Sequence, residues 1–364
     1  MWGTLTYSSP MVQGLLSRHP PLHVQLLRTS PGSAQNEGKW LAFWLRKNQF
    51  SPDVSKKIRR ALRREQDKPT ETKRKIATMN ILIQQARRGL QGRSAPALRD
   101  IRKATKAHIT LTDRLRSGYH RFWYEATQAL RWSRGTYRDV PAMTRLNLTP
   151  SQRARIDTLA ENYTTRFELR YPPETTLLNY GYLDLLDRAS QTLNWSISRN
   201  QKICDVGSSH FAYAAALQAF FHPSHLIGTE VDGYRLFCNG RSRIDYAHGH
   251  IQDLPHTNYV VTDYRQYHQP AEIITAWYPF VTPKPLLAWR LPLSVFDPAA
   301  LFAQIANNLV IGGTFVMINH SHTEAAIART IAEATGLVCQ GHYVHDTPLS
   351  HRTHPAVLTL WHHS

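Results

Sequence analysis

Residues 202–216 read KICDVGSSHFAYAAA. Ile203, Cys204 and Val206 form an apolar run of strand type, residues 207–209 a small-residue turn, and the alanines beyond them a helix. A strand that turns tightly into a helix at a glycine is how an α/β sheet cradles a nucleotide-type cofactor, because bare backbone and a helix N-terminus meet the ligand there. Gly207 supplies a position without a Cβ. Ser209 and Phe211 stand where a full Gly-x-Gly-x-Gly would carry its other two glycines. The stretch leaves two readings, a cofactor loop or a tight turn in an ordinary α/β domain.

Outward from this stretch, strands and helices alternate to the end of the chain. HLIGTEV (225–231), NYVVTDYRQY (258–267), AEIITAWYPF (271–280) and TFVMINH (314–320) read as strands. DGYRLFCNGRSRIDYAHGHI (232–251) carries a helix. FDPAALFAQIANNLVIGG (296–313) reads as a helix with Asp297 as N-cap, Pro298 at its first position and Gly312-Gly313 closing it. A helix over 323–336 precedes two last strands, LVCQGHYVH (337–345) and HPAVLTLWHH (354–363). Upstream, the pattern from Lys39 to Arg170 is helical. Ser51, Pro52 and Asp53 open one basic helix, and Ile76, Met79, Ile83, Ala86 and Leu90 form the apolar seam of another. A longer helix is expected over Ala95–Arg134, broken near Ser117-Gly118, and one more begins at Thr149-Pro150. The stiff YPPE (171–174) marks a domain boundary near Tyr171-Pro172.

The chain has 364 residues, 42% of them hydrophobic, long enough for two domains with cores of their own. Its formal charge of +18 is uneven. Residues 1–170 hold 33 Lys and Arg against 12 Asp and Glu, and residues 171–364 hold 11 against 14. A basic all-α domain over 39–170 followed by a nearly neutral α/β domain over 171–364 points to a polyanionic partner, RNA or another, for the front part. The plain alternative is a solvated helical surface rich in Arg. Cys204, Cys238 and Cys339 are too few and too scattered for a disulfide framework or a Cys-x-x-Cys metal site, so no metal and a reducing, cytoplasmic setting are expected. No run of about 18 apolar residues offers a membrane span. Residues 1–38, with Arg18 and Arg28 among many Ser and Pro, are expected to be a disordered or processed tail.

Over residues 175–364 the order and spacing of these elements resemble the class I, Rossmann-like S-adenosylmethionine-dependent methyltransferases. Asp205 and Gly207 match the Asp/Glu-x-Gly of the first strand, Glu230 the acid that closes the second, and Asp263 the acid before the fourth. AEIITAWYPF matches the methyl-facing strand end, and NLVIGGTFVMIN the entry to strand five. The resemblance implies a seven-stranded, mostly parallel sheet with an antiparallel last strand, and S-adenosylmethionine as cofactor. It implies that Glu230 accepts the ribose hydroxyls, Asp263 the adenine amine, and that Asp205 orders the loop and the cofactor's amine. Ser208, Ser209 and Trp277 join them as cofactor-side positions. On the acceptor side, WYPF (277–280) is loosely like the Asp/Asn-Pro-Pro-Tyr of amino-directed enzymes but lacks the Asp or Asn. Tyr278 is expected to line the methyl site and His320 to act as base, because a base is needed where the acceptor must lose a proton. The rival reading is a non-catalytic nucleic-acid-binding or scaffold protein that keeps the fold and has lost the ligand.

Overall fold

Short apolar runs separated by turns put seven strands into one sheet in the computed structural model, which describes residues 94–106, 109–139, 148–349 and 355–363. The tail and the helices expected before residue 94 lie outside these residues. The strands are β1 (Lys202–Val206), β2 (His225–Glu230), β3 (Thr257–Val261), β4 (Ala271–Trp277), β5 (Leu309–Asn319), β6 (Leu337–His345) and β7 (Ala356–His363). Their order is β3-β2-β1-β4-β5-β7-β6. β7 runs antiparallel to β5 and β6, and the other pairs are parallel. The order reverses between β1 and β4, which opens a crevice beyond their carboxyl ends.

Nine helices are described: α1 (Ser94–Lys106), α2 (Leu111–Leu130), α3 (Pro150–Asn162), α4 (Pro173–Thr192), α5 (Ala214–Phe221), α6 (Arg243–Ile251), α7 (Pro283–Ala288), α8 (Pro298–Asn308) and α9 (His322–Ala334). Alternation along the strands splits the core in two. Ile203, Leu226, Ile273 and Val316 pack with residues of α4 and α5 on one face. Cys204, Ile274, Phe315 and Met317 pack with residues of α8 and α9 on the other.

Two expectations shift. The break in the long front helix comes before Leu111, not at Ser117-Gly118, because Thr110 and Asp113 form a capping box that starts α2 there. The helix expected to run to Gly312-Gly313 stops at Asn308. Leu309 already pairs with Ala271, and the Asn308 amide is drawn to the carbonyl of Tyr267 at 2.7 Å. Packing also crosses the boundary expected at Tyr171-Pro172. Ile156, Leu159 and Phe167 share a core with Ile203, and Ile101 shares one with Phe315.

A polar knot ties the front helices to the sheet. Asp184 and Asp187 of α4 are buried, and Arg155 of α3 reaches both, Asp187 at 2.6 Å. Arg188 (3.0 Å) and His345 at the end of β6 (3.0 Å) also meet Asp184. Tyr163 donates its hydroxyl to Asp187 at 2.8 Å.

Candidate active site

The quoted loop takes the conformation of a glycine-rich turn with one glycine. Gly207, Ser209 and Phe211 have φ of 76°, 53° and 53°. These are the three positions of Gly-x-Gly-x-Gly, and positive φ is the region that favours glycine. Gly207 is exposed, and a Cβ built on it would meet nothing within 4 Å. Phe211 is fully buried, its ring seated where a Cβ on Gly228 of β2 would come within 2.6 Å. Its packing is what offsets the backbone cost. Ser209 has no such burial, so Ser209→Gly is expected to raise stability by roughly 0.5–1 kcal/mol, measured by denaturant unfolding.

The acids of β2 and β3 converge on one crevice but are engaged by the chain itself. Glu230 accepts the amides of Ser209 at 2.8 Å and Asp232 at 2.9 Å, and the guanidinium of Arg243 at 3.3 Å. Asp263 is held by Arg265 through its amide (3.0 Å) and its guanidinium. Asp205 is fully buried and accepts the hydroxyls of Thr275 (2.5 Å) and Tyr213 (2.7 Å). Ser208 bonds the Asp205 carbonyl at 3.0 Å.

Burial pushes the Asp205 carboxyl up to about 6, against the two hydroxyls that favour its charged form. A folded-state value above the unfolded one of about 3.9 means the penalty is absent below about pH 4 and complete above about pH 6. Between those limits the wild type is expected to lose about 2–3 kcal/mol relative to Asp205→Asn, read from paired unfolding curves at pH 4 and pH 7.

A feature that the sequence reading placed in a separate domain closes the crevice. Helix α2 lies across the strand ends: Tyr124 and Gln128 both donate to the carbonyl of Val231, at 3.4 and 3.2 Å. Burial raises the Tyr124 phenol to about 12, and Asp232, Asp263 and Glu230 add to the rise. Beyond α2 the chain wraps α6. Trp132 donates to the Gly240 carbonyl at 3.0 Å, Ser133 bonds Asp245, the Tyr137 amide meets the Asp245 carbonyl at 2.9 Å, and Arg138 pairs with Asp253 at 2.6 Å. Gly249 of α6 admits this strap, since a Cβ there would lie 1.9 Å from the Tyr137 carbonyl oxygen. Gly→Ala in an open helix gains about 1 kcal/mol. Gly249→Ala is expected instead to dislodge the strap and to speed tryptic cleavage at Arg134 and Arg138 in a time course.

At the other end of the crevice, Tyr278 and His320 come together: their rings stack with centroids 3.9 Å apart and planes 13° apart. Tyr278 has φ of 59°, and its amide reaches the Ile318 carbonyl at 2.7 Å. Trp277 closes a stack with Tyr182 (4.1 Å) and Tyr213 (5.5 Å). At the adjacent ends of β4 and β5, the Trp277 indole nitrogen and both amide atoms of Asn319 are buried without a hydrogen-bond partner. Buried polar groups are nearly always satisfied, so these two strand ends fit a site that takes a polar ligand. Burial also holds His120 neutral, down at about 3, with Arg116, Arg235 and Arg290 adding to the effect. Among the described residues no group of His, Cys, Asp or Glu is arranged to hold a metal, and no helix is long and apolar enough to cross a membrane.

No family model and no curated protein matches the chain. Among solved structures it is similar to a TehB-like S-adenosylmethionine-dependent methyltransferase from Corynebacterium glutamicum, at 18% identity and a TM-score of 0.35, covering 57% of this chain and 100% of that one. It is similar to the N-methyltransferase NodS from Bradyrhizobium japonicum at 12% identity and a TM-score of 0.36, covering 50% and 93%. A methyltransferase from Aquifex aeolicus gives 11% identity and a TM-score of 0.36, covering 50% and 92%. The C-terminal region itself has a seven-stranded Rossmann-like sheet with an antiparallel last strand.

Proposed function

We propose that the chain is an S-adenosylmethionine-dependent methyltransferase whose acceptor is RNA or another polyanion met by the basic front region. The observation that supports this is the loop, whose positive φ at 207, 209 and 211 falls at the three glycine positions of a Gly-x-Gly-x-Gly turn, beside an exposed, unobstructed Gly207. The methionine half of the cofactor suits the bare backbone at Gly207, and the electron-rich Tyr182–Tyr213–Trp277 stack suits a sulfonium. The ribose half requires an exchange. A carboxylate offers about four lone-pair sites, and Glu230 already receives three donors. Arg243 is the one that can yield, because it is the longest of the three at 3.3 Å and Asp232 stands 3.7 Å away to receive it.

When bound, the cofactor supplies an activated methyl carbon, so positioning and exclusion of water carry most of the catalysis. Tyr278 and His320 flank the acceptor side. His320 takes the acceptor proton where an amine or hydroxyl is methylated, and its backbone amide is held by the Glu324 carboxylate at 3.2 Å. Helix α2 shields the site. The engaged state of Glu230 and Asp263 favours a second reading, a nucleic-acid-binding protein with a relic domain. Transfer of radiolabelled methyl from S-adenosylmethionine to total cellular RNA separates the two: label lost in His320→Ala supports the enzyme, and no label with any RNA or protein fraction supports the relic.

A further inference from the structure

Helix α2 keeps large apolar side chains on its solvent side, where a surface helix is normally polar. Its inward face mixes polar and aromatic groups: Ser117, His120, Tyr124 and Gln128 meet the rest of the protein, Tyr124 packs against Leu286, Leu287, Leu291 and Phe296, and Ser117 accepts the Leu293 amide at 2.8 Å. Its outward face carries Leu111, 59% exposed, and Phe122, 64% exposed. Just past its end Trp132 is 41% exposed. The two rings are fixed as well as open. Phe122 is braced edge-on against Trp123 with centroids 5.3 Å apart, and the Trp132 indole is tethered to the Gly240 carbonyl at 3.0 Å. Exposed arginines surround them, Arg114, Arg121 and Arg131 among them, and residues 94–139 hold ten Lys and Arg against four Asp and Glu.

We infer that the outer face of α2, continued through Trp132, binds single-stranded nucleic acid. Preset aromatic faces stack bases at little ordering cost, and the guanidinium groups meet the phosphates. The charge argues for this occupant. A second copy of the chain would bring the same positive field against itself, whereas a polyanion neutralises it. The surface stands on its own geometry. It rests on the proposed function only in taking the bound strand as the methyl acceptor, delivered to the edge where Tyr278 and His320 stack.

The test uses the full chain and a labelled oligouridylate, followed by fluorescence anisotropy over a salt series. Phe122→Leu keeps an apolar side chain and removes the ring. It is expected to weaken binding roughly 5- to 100-fold, as loss of one base stack does. Arg131→Gln is expected to lower the slope of log affinity against log salt by about 0.7. Thermal melts at the wild-type temperature show that both variants are folded. Unchanged binding in both variants overturns the surface, because the strand then lies elsewhere on the chain. A dimer in light scattering that Phe122→Ala converts to monomer also overturns it, because the face is then a self-interface. Strand binding by a protein that gives no heat with S-adenosylmethionine sinks the methyltransferase reading and leaves this surface standing.

Discussion

Arg155→Ala is expected to lower the unfolding free energy by about 3–5 kcal/mol, the usual cost of removing one partner from a buried ion pair. Asp184 is fully buried and Asp187 nearly so, and without the guanidinium Asp187 keeps only the neutral donors Tyr163 and Gln191. Burial pushes the Asp184 carboxyl up, but the bonds from His345, Thr347 and Arg155 outweigh it and hold the group well below the carboxylate range. A carboxyl lowered in the folded state contributes stability that is complete above about pH 4 and is lost as pH falls below it. Wild type is therefore expected to unfold steeply in acid, and Arg155→Ala to start lower and fall less. Guanidinium titrations at pH 7 and pH 3 read both effects. A loss under about 1 kcal/mol at pH 7 would show that the knot does not join α3 and α4 to the sheet.

Phe211→Gly is expected to destabilise by about 2–3 kcal/mol even though it relieves a positive φ. Deleting a buried Phe side chain costs about 3–5 kcal/mol, and relief of the left-handed backbone returns about 1–2. With Ser209→Gly the sign reverses, since Ser209 is only partly buried. The pair of variants separates two ways of losing a glycine. At 211 the core has taken the position over, and at 209 a polar side chain sits in it at a conformational cost. If both variants destabilise equally, packing of the loop, not its backbone, governs the site.

Much of this fold is legible in the chain because its local signals agree with one another. Lys202–Val206, Asp297-Pro298 and Thr149-Pro150 mark their elements where periodicity and capping chemistry place them. The end of α8 is harder, because Gly312-Gly313 has the form of a helix stop but lies inside β5, where Gly313 lets the Glu272 carbonyl approach. The site is less legible than the fold. Glu230 closes β2 and Asp263 follows β3 by two residues. Their partners Arg243 and Arg265 could be suspected only from nearness in sequence, and the covering helix only from the pattern of its faces. Residues 111–139 read as part of a separate basic domain because charge is a property of composition. That their polar face turns inward follows from Val231, Gly240 and Asp245 offering carbonyl and carboxylate acceptors far away in sequence. The apolar residues at 111 and 122, on the face opposite Ser117, His120, Tyr124 and Gln128, were the available signal.

Calorimetry of the full chain with S-adenosylmethionine, repeated with its demethylated product, tests the central claim most directly. Micromolar binding of both, weakened at least tenfold by Glu230→Ala, is the result that a cofactor site at the ends of β1 and β2 requires. An absence of heat with either ligand, or affinity indifferent to Glu230→Ala, would contradict it.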